Sequence, residues 1–358
     1  MKLYTKAGWL DVPHVAEVAD RNNISFIIII GKRQIGKTYG VLKFMLEKQK
    51  HFILLRSVMA EMDMLKHNVA SPFESLPFNE IMGHSGRVVF ESETQYTANI
   101  VRIDESEEGE EKTNIGMLSA LSAIGRVRGI NGRQFSDVVY DEFIPESHLL
   151  KVKNGGDAFL NMYTTIAGNR EIEGDKPLRV WLLANSNNLD NDILNALNIT
   201  GVVEKMSLRG EESRILKDRG IMVILPDSQL ITEKRKRGAL YKAVGGDGKF
   251  SKMAYENSFS YNDFSDVNPK PLDEYNPIIM IYGESNPTFT IYLHKTYKTL
   301  YVVQKVDANA RHTYYETERD KMKFTRDFPE IKAAYLRGRF TFQNMTVKNE
   351  FLNYLGLA

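Results

Sequence analysis

The chain has 358 residues, 42% hydrophobic and 26% charged, a soluble globular composition that excludes wholesale disorder and the collagen-like and membrane classes. Lysine and arginine number 47 against 46 aspartate and glutamate, a formal charge of +1, so a polyanion has to be met by local basic patches and not by a net field. Cysteine is absent, which excludes disulfides, thiolate nucleophiles and cysteine-ligated metal centres, and the seven histidines show no metal-ligand spacing.

At a prior of about 150 residues per domain, two domains are expected. A short helix is predicted over residues 13–21, with Pro13 tolerated in its first turn. ISFIIII (24–30) is β-branched and suits a central parallel strand buried on both faces. It is far shorter than the ~20 apolar residues of a spanning helix, and the N-terminus has no export leader, so no membrane contact is expected. A Gly-rich turn leads into a helix in which Val41, Leu42, Met45 and Leu46 recur at helical spacing. HFILL (51–55) is a strand, residues 58–69 a helix, and 86–91 and 96–103 short strands; DESEEGEE (104–111) reads as a solvated acidic loop. SDVVYDEFIPE, from Ser136, is a strand ended by carboxylates, followed by a helix near 158–166 and the strand of LRVWLLANSNN (178–188). This alternation gives an α/β domain with a mostly parallel sheet over residues 1–200. Between 201 and 276 the pattern loosens into a linker or small subdomain holding the strand IMVIL (221–225), the basic EKRKRG, GGDG and NPKP. Residues 277–358 form a smaller second α/β domain, with a three-strand meander over 277–306 and helices near 327–337 and 346–355.

Gly31, Lys32, Arg33, Gln34, Ile35, Gly36, Lys37 and Thr38 spell G-x-x-x-x-G-K-[ST] directly after a strand and at the start of a helix, the context this phosphate-binding loop needs. Its N–H groups turn inward around phosphates, Lys37 reaches the β- and γ-phosphates, Thr38 ligates Mg²⁺, and Tyr39 continues the ATP-binding segment. In SDVVYDE, Asp141 holds Mg²⁺ through water and Glu142 orients or deprotonates the attacking water, a Walker B pattern. Asn185 or Ser186 stands beside the γ-phosphate if its strand neighbours the two motif strands; otherwise it is an ordinary turn. Arg33, Arg56, Arg126, Arg128, Arg133 and Arg170 are candidates to complete the site, each with a solvated surface role as the alternative. Lys234, Arg235, Lys236 and Arg237, the densest basic run, suit a DNA backbone or a solvated linker.

With these residues assembled, the chain resembles the DNA-encapsidation ATPases of small protein-primed tailed phages, the phi twenty-nine type. The resemblance rests on GKRQIGKT with Arg33 inside it, FILLR (52–56), VVYDEFI (138–144), LLANS (182–186), ILPDS…EKRKRGAL from 224 and AYLRGRFTFQN (334–344). It implies a terminase-like P-loop ATPase of the ASCE class followed by a vestigial RNase H-like domain. It also implies an Mg²⁺-dependent ATPase that assembles as a homomeric ring, a pentamer, on the portal vertex of a procapsid in the host cytoplasm, moves double-stranded DNA inward, and is accompanied by a packaging RNA. By position, Arg128 and Arg170 fall near the family's trans-acting catalytic arginines. Nuclease activity is not expected, because PIIMIYGESN lacks the aspartate a two-metal site needs, and Glu284 and Asp307 have no third partner. The other readings are a helicase-type translocating ATPase, a nucleotide-binding structural module without turnover, and an active large terminase.

Overall fold

The computed structural model describes residues 2–67, 71–125, 131–145, 152–185, 191–239, 266–283 and 288–357. The chain divides into two units, Met1–Leu197 with Met206–Ser260, and Asn198–Lys205 with Tyr261–Ala358.

In the first unit the chain enters through α1 (Val12–Arg21), capped by Asp11 and burying Val12, Val15, Ala16 and Ala19. β1 (Phe26–Gly31) follows, then α2 (Lys37–Glu47), β2 (Phe52–Arg56), α3 (Met59–Lys66), α4 (Phe78–Met82), β3 (Gly86–Ser92), β4 (Thr97–Ser106), β5 (Gly109–Ala120), α5 (Leu121–Ile124) and β6 (Asp137–Asp141). After these come α6 (Gly155–Ala167), β7 (Arg179–Asn185), α7 (Asp192–Ala196), α8 (Thr200–Arg209), whose residues up to Lys205 count with the second unit, β8 (Ser213–Leu216), β9 (Ile221–Ile224) and α9 (Gln229–Lys236).

The strands form one nine-stranded sheet in the order β3-β4-β5-β2-β6-β7-β1-β9-β8. From β5 to β9 every pairing is parallel, and the outer pairs β3/β4, β4/β5 and β8/β9 are antiparallel. Strand alternation sends Ile27 and Ile29 to the face packed by α1, α2 and α3, where they meet Trp181 and Leu183. Phe26 points the other way, its ring 6.5 Å from Phe159 and 4.9 Å from Tyr163 of α6. β1 is thus covered on both faces, as its unbroken β-branched run predicts.

Two sequence expectations are corrected here. The acidic run is a β-hairpin: β4 and β5 stay paired to Ser106↔Gly109, and Arg87 of β3 binds both Glu105 and Glu110. Opposite charges across neighbouring strands replace the apolar alternation that marks a strand in sequence. The stretch expected to be a linker supplies β8, β9 and α9 to the first unit, with β9 paired to β1 from Phe26↔Ile221 to Ile29↔Ile224.

The second unit contains β10 (Tyr275–Tyr282), β11 (Phe289–His294), β12 (Leu300–Val303), β13 (His312–Tyr315), α10 (Glu318–Asp327), α11 (Ile331–Leu336), β14 (Phe340–Phe342) and α12 (Met345–Leu355). β10, β11 and β12 are the expected meander; β13 and β14 join its edges in parallel to give the order β13-β10-β11-β12-β14. Phe289, Phe324, Phe342 and Phe351 centre its core. Among α10 residues only Phe324 is buried, which is why ERDKMKFTRD carries no apolar stripe in sequence. Glu204, assigned to this unit, is buried and accepts from the Met345 N–H at 3.2 Å; burial raises its carboxyl pKa.

Gly116 lies where β5 passes β2, and a Cβ there would sit 2.1 Å from the Phe52 carbonyl oxygen. Gly116→Ala forces the backbones apart, and a loss of roughly 1–3 kcal/mol in unfolding free energy is expected, measured as a lower urea midpoint at unchanged m.

Candidate active site

β1, β6 and β7 end at one edge of the sheet, because their parallel registers bring Gly31 level with Asn185 and Asp141 level with Leu183. β7 therefore lies between the phosphate-loop strand and the Walker B strand, the placement on which the Asn185 expectation depended.

The loop residues divide by role. Gly36, at φ 86, precedes α2, whose N-terminus has no side-chain cap, so its first N–H groups are left to an anion. Gln34 also takes a left-handed conformation, φ 56, which helps turn the loop N–H groups inward. Ile35 is buried at 1% exposure. Lys32 faces inward, paired with Asp227 and donating to Thr232 Oγ1 at 2.9 Å, so its side-chain nitrogen is engaged within the protein. Tyr39 stands exposed on the first turn of α2.

Lys37 Nζ donates to the carbonyls of Gly31 at 3.0 Å and Lys32 at 2.7 Å and to Asn185 Oδ1 at 3.2 Å. Burial lowers its pKa to about 7, against the pull of Asp141 and Glu142, and the charges of Arg235 and Arg33 push the same way as burial. Thr38 Oγ1 donates to Asp141 Oδ1 at 2.8 Å. The other oxygen of Asp141 accepts from Arg56 Nη1 at 2.9 Å, and the same nitrogen lies 3.6 Å from Glu142 Oε2. Arg56 Nε is buried without a hydrogen-bond partner beside these carboxylates. Glu142 itself adopts φ 57, which turns its half-exposed carboxylate off the line of β6.

Among the described residues no cluster of three His, Cys, Asp or Glu is ready to hold a metal. One hydroxyl and one carboxylate, Thr38 and Asp141, fit a Mg²⁺ ion that completes its shell with nucleotide phosphates and water.

Arg170 is corrected. At 5% exposure its guanidinium donates to the carbonyls of Ala167 at 3.1 Å, Phe135 at 3.1 Å and Gly132 at 2.7 Å, bracing the approach to β6 instead of reaching out to a neighbouring nucleotide. Arg126, Arg128, Ser186 and Glu284 lie outside the described residues. Arg133 pairs with Glu173. Asp307, in the second unit, accepts from Tyr292 OH at 2.8 Å. Arg56, left open by the sequence, joins the site because β2 neighbours β6; its signal is a charge ending an apolar strand.

A depressed Lys37 has a signed consequence. Above pH 7 this nitrogen is mostly the neutral amine, whereas phosphate oxygens favour the ammonium, so a loop that binds ATP, as its motif leads one to expect, takes up a proton on doing so. Calorimetry at pH 8 in buffers of different ionisation enthalpy is expected to show uptake approaching one proton, fading at pH 6 and absent in Lys37→Ala.

No protein-family model matches the chain, and no curated protein does. Among solved structures, the Phi-28 gp11 DNA packaging motor matches 96% of this chain and 97% of its own, with a TM-score of 0.58 and 15% identity. The N-terminal domain of the DNA packaging ATPase from bacteriophage phi29 matches 60% of this chain and 95% of its own, with a TM-score of 0.42 and 20% identity. The Thermus phage P74-26 large terminase ATPase domain matches 69% and 93%, with a TM-score of 0.36 and 10% identity. The chain thus shares the fold of the Phi-28 gp11 packaging motor along nearly its whole length, a large, mostly parallel sheet with helices and a second, smaller α/β unit, the α/β architecture the sequence leads one to expect.

Proposed function

We propose that this chain is a viral DNA-packaging motor ATPase that couples ATP hydrolysis to translocation of double-stranded DNA into a procapsid. The observation that carries the reading is the convergence of Lys37, Thr38, Asp141, Glu142 and Asn185 at one sheet edge. The fold shared with the Phi-28 gp11 DNA packaging motor supports it.

In this reading the uncapped N-terminus of α2 and the loop N–H groups bind the phosphate chain, and Lys37 exchanges its loop carbonyls for phosphate oxygens. Asn185, bonded to Lys37, is placed to sense the terminal phosphate. Thr38 and Asp141 would hold a Mg²⁺ ion, which would supply charge neutralisation for the phosphate chain. Glu142 orients the attacking water and takes its proton. Arg56, bonded to Asp141 and close to Glu142, offsets part of the charge of that carboxylate pair.

The partners follow from the same reading: copies of this chain in a ring, a pentamer, on a portal vertex in the host cytoplasm, with double-stranded DNA and a packaging RNA. An arginine from the neighbouring copy completes the site, and Arg128 is the candidate. The second unit, read as vestigial and RNase H-like, serves DNA or portal contacts. No described helix is long and apolar enough to cross a membrane.

Steady-state hydrolysis by wild type and Glu142→Gln, with and without double-stranded DNA and procapsids, tests the reading. Glu142→Gln is expected to bind ATP as wild type does and to lose at least about 100-fold in turnover. DNA with procapsids is expected to raise the wild-type rate. Strand separation without procapsids would favour a helicase-type motor, and ATP binding without turnover by wild type a structural module.

A further inference from the structure

The basic run at 234–237, expected to meet DNA or solvent, is engaged elsewhere. Lys234 Nζ donates to the Ala7 carbonyl at 3.3 Å, Lys236 pairs with Glu233 at 3.1 Å, and Arg237 is exposed. Arg235 turns to the phosphate loop, where its Nη1 donates to the carbonyl of Arg33 at 2.7 Å.

Its helix is held in register with the loop at several points. Lys32 of the loop, buried, binds Asp227 just before α9 and Thr232 within it. Ser228 caps α9, accepting from the Ile231 N–H at 3.4 Å. Pro226 packs on Gly31 so closely that a Cβ there would lie 2.8 Å from the proline ring. The Arg235 guanidinium is therefore carried on a fixed frame at the loop, on a segment distant in sequence and adjacent through the β1–β9 pairing.

Three basic residues gather at this loop: Arg33 and Lys37 within it, and Arg235, whose guanidinium bonds the Arg33 carbonyl. Gathering like charges around one loop is unfavourable until a polyanion enters, and a phosphate chain is the ligand that reverses the sign of that energy. Lys37 of this motif serves the β- and γ-phosphates, so a cation grouped with it serves the same end of the chain.

We infer that Arg235 is a further phosphate-binding residue of the nucleotide site, supplied by the same chain that supplies the phosphate loop, and that it favours a nucleoside triphosphate over the diphosphate. The inference rests on the nucleotide reading of the loop. An arginine acting within its own chain works in isolated copies, so its effect is independent of protein concentration and of ring assembly.

The test is equilibrium binding of fluorescent ATP and ADP to wild type, Arg235→Ala, Arg235→Lys and Arg237→Ala, at several protein concentrations. Arg235→Ala is expected to lose about tenfold or more in ATP affinity and less than about threefold in ADP affinity at every concentration. Arg235→Lys is expected to fall between, and Arg237→Ala to match wild type in both. Equal losses for ATP and ADP would reduce Arg235 to a brace of the Arg33 carbonyl and overturn the inference, as would no loss at all. Thermal unfolding without nucleotide shows whether Arg235→Ala folds; if it does not, the ATP-to-ADP ratio of Arg235→Lys decides by the same criterion. A wild type that binds neither nucleotide overturns the nucleotide reading itself, an outcome distinct from a normal wild type with an unchanged ratio in the variants.

Discussion

The buried side-chain nitrogen of Lys37 is the point from which the first unit is best understood. Without phosphate it is held by two carbonyls of its own loop and by the side chain of Asn185, and that set exists only because β7 runs beside β1. A lysine removed from water needs every available acceptor, and here those acceptors come from two strands far apart in the chain. The carboxylates of β6 draw Lys37 toward its charged state while burial and two arginines oppose it. The opposing effects leave the group near its titration point, so a phosphate chain can tip it decisively.

The same economy governs the metal side. Thr38 and Asp141 come from elements 103 positions apart, and their hydrogen bond keeps a hydroxyl and a carboxylate at coordinating separation. Arg56 pairs with Asp141, so the buried carboxylate is not left as an unpaired charge. Such pairing lowers the cost of assembling acids at a strand end.

Much of this was legible in sequence where the chemistry is local. The strand, loop and helix around Gly31–Thr38 are contiguous, and the Asp141–Glu142 pair ends a recognisable apolar strand. Asn185 was legible only conditionally, since sequence shows a strand and not its neighbours. Arg170 misled because a buried guanidinium spent on backbone carbonyls has the same local signature as an exposed one. The acidic hairpin escaped because its strands are held by cross-strand ion pairs. The role of 221–236 escaped because β9 pairs with a strand nearly 200 residues earlier, a contact with no local signal.

The left-handed backbone of Glu142 connects activity with evolvability. A side chain with a Cβ in that region is disfavoured by roughly 1–2 kcal/mol relative to its ordinary conformations, whereas glycine and, in part, asparagine adopt it readily. Selection for folding alone would therefore drift this position toward glycine, making the domain sturdier and, on the proposed reading, idle. Glutamate in this conformation marks a site where the fold forgoes stability to aim a carboxylate, and thermostabilising libraries built on this chain should hold that position constant.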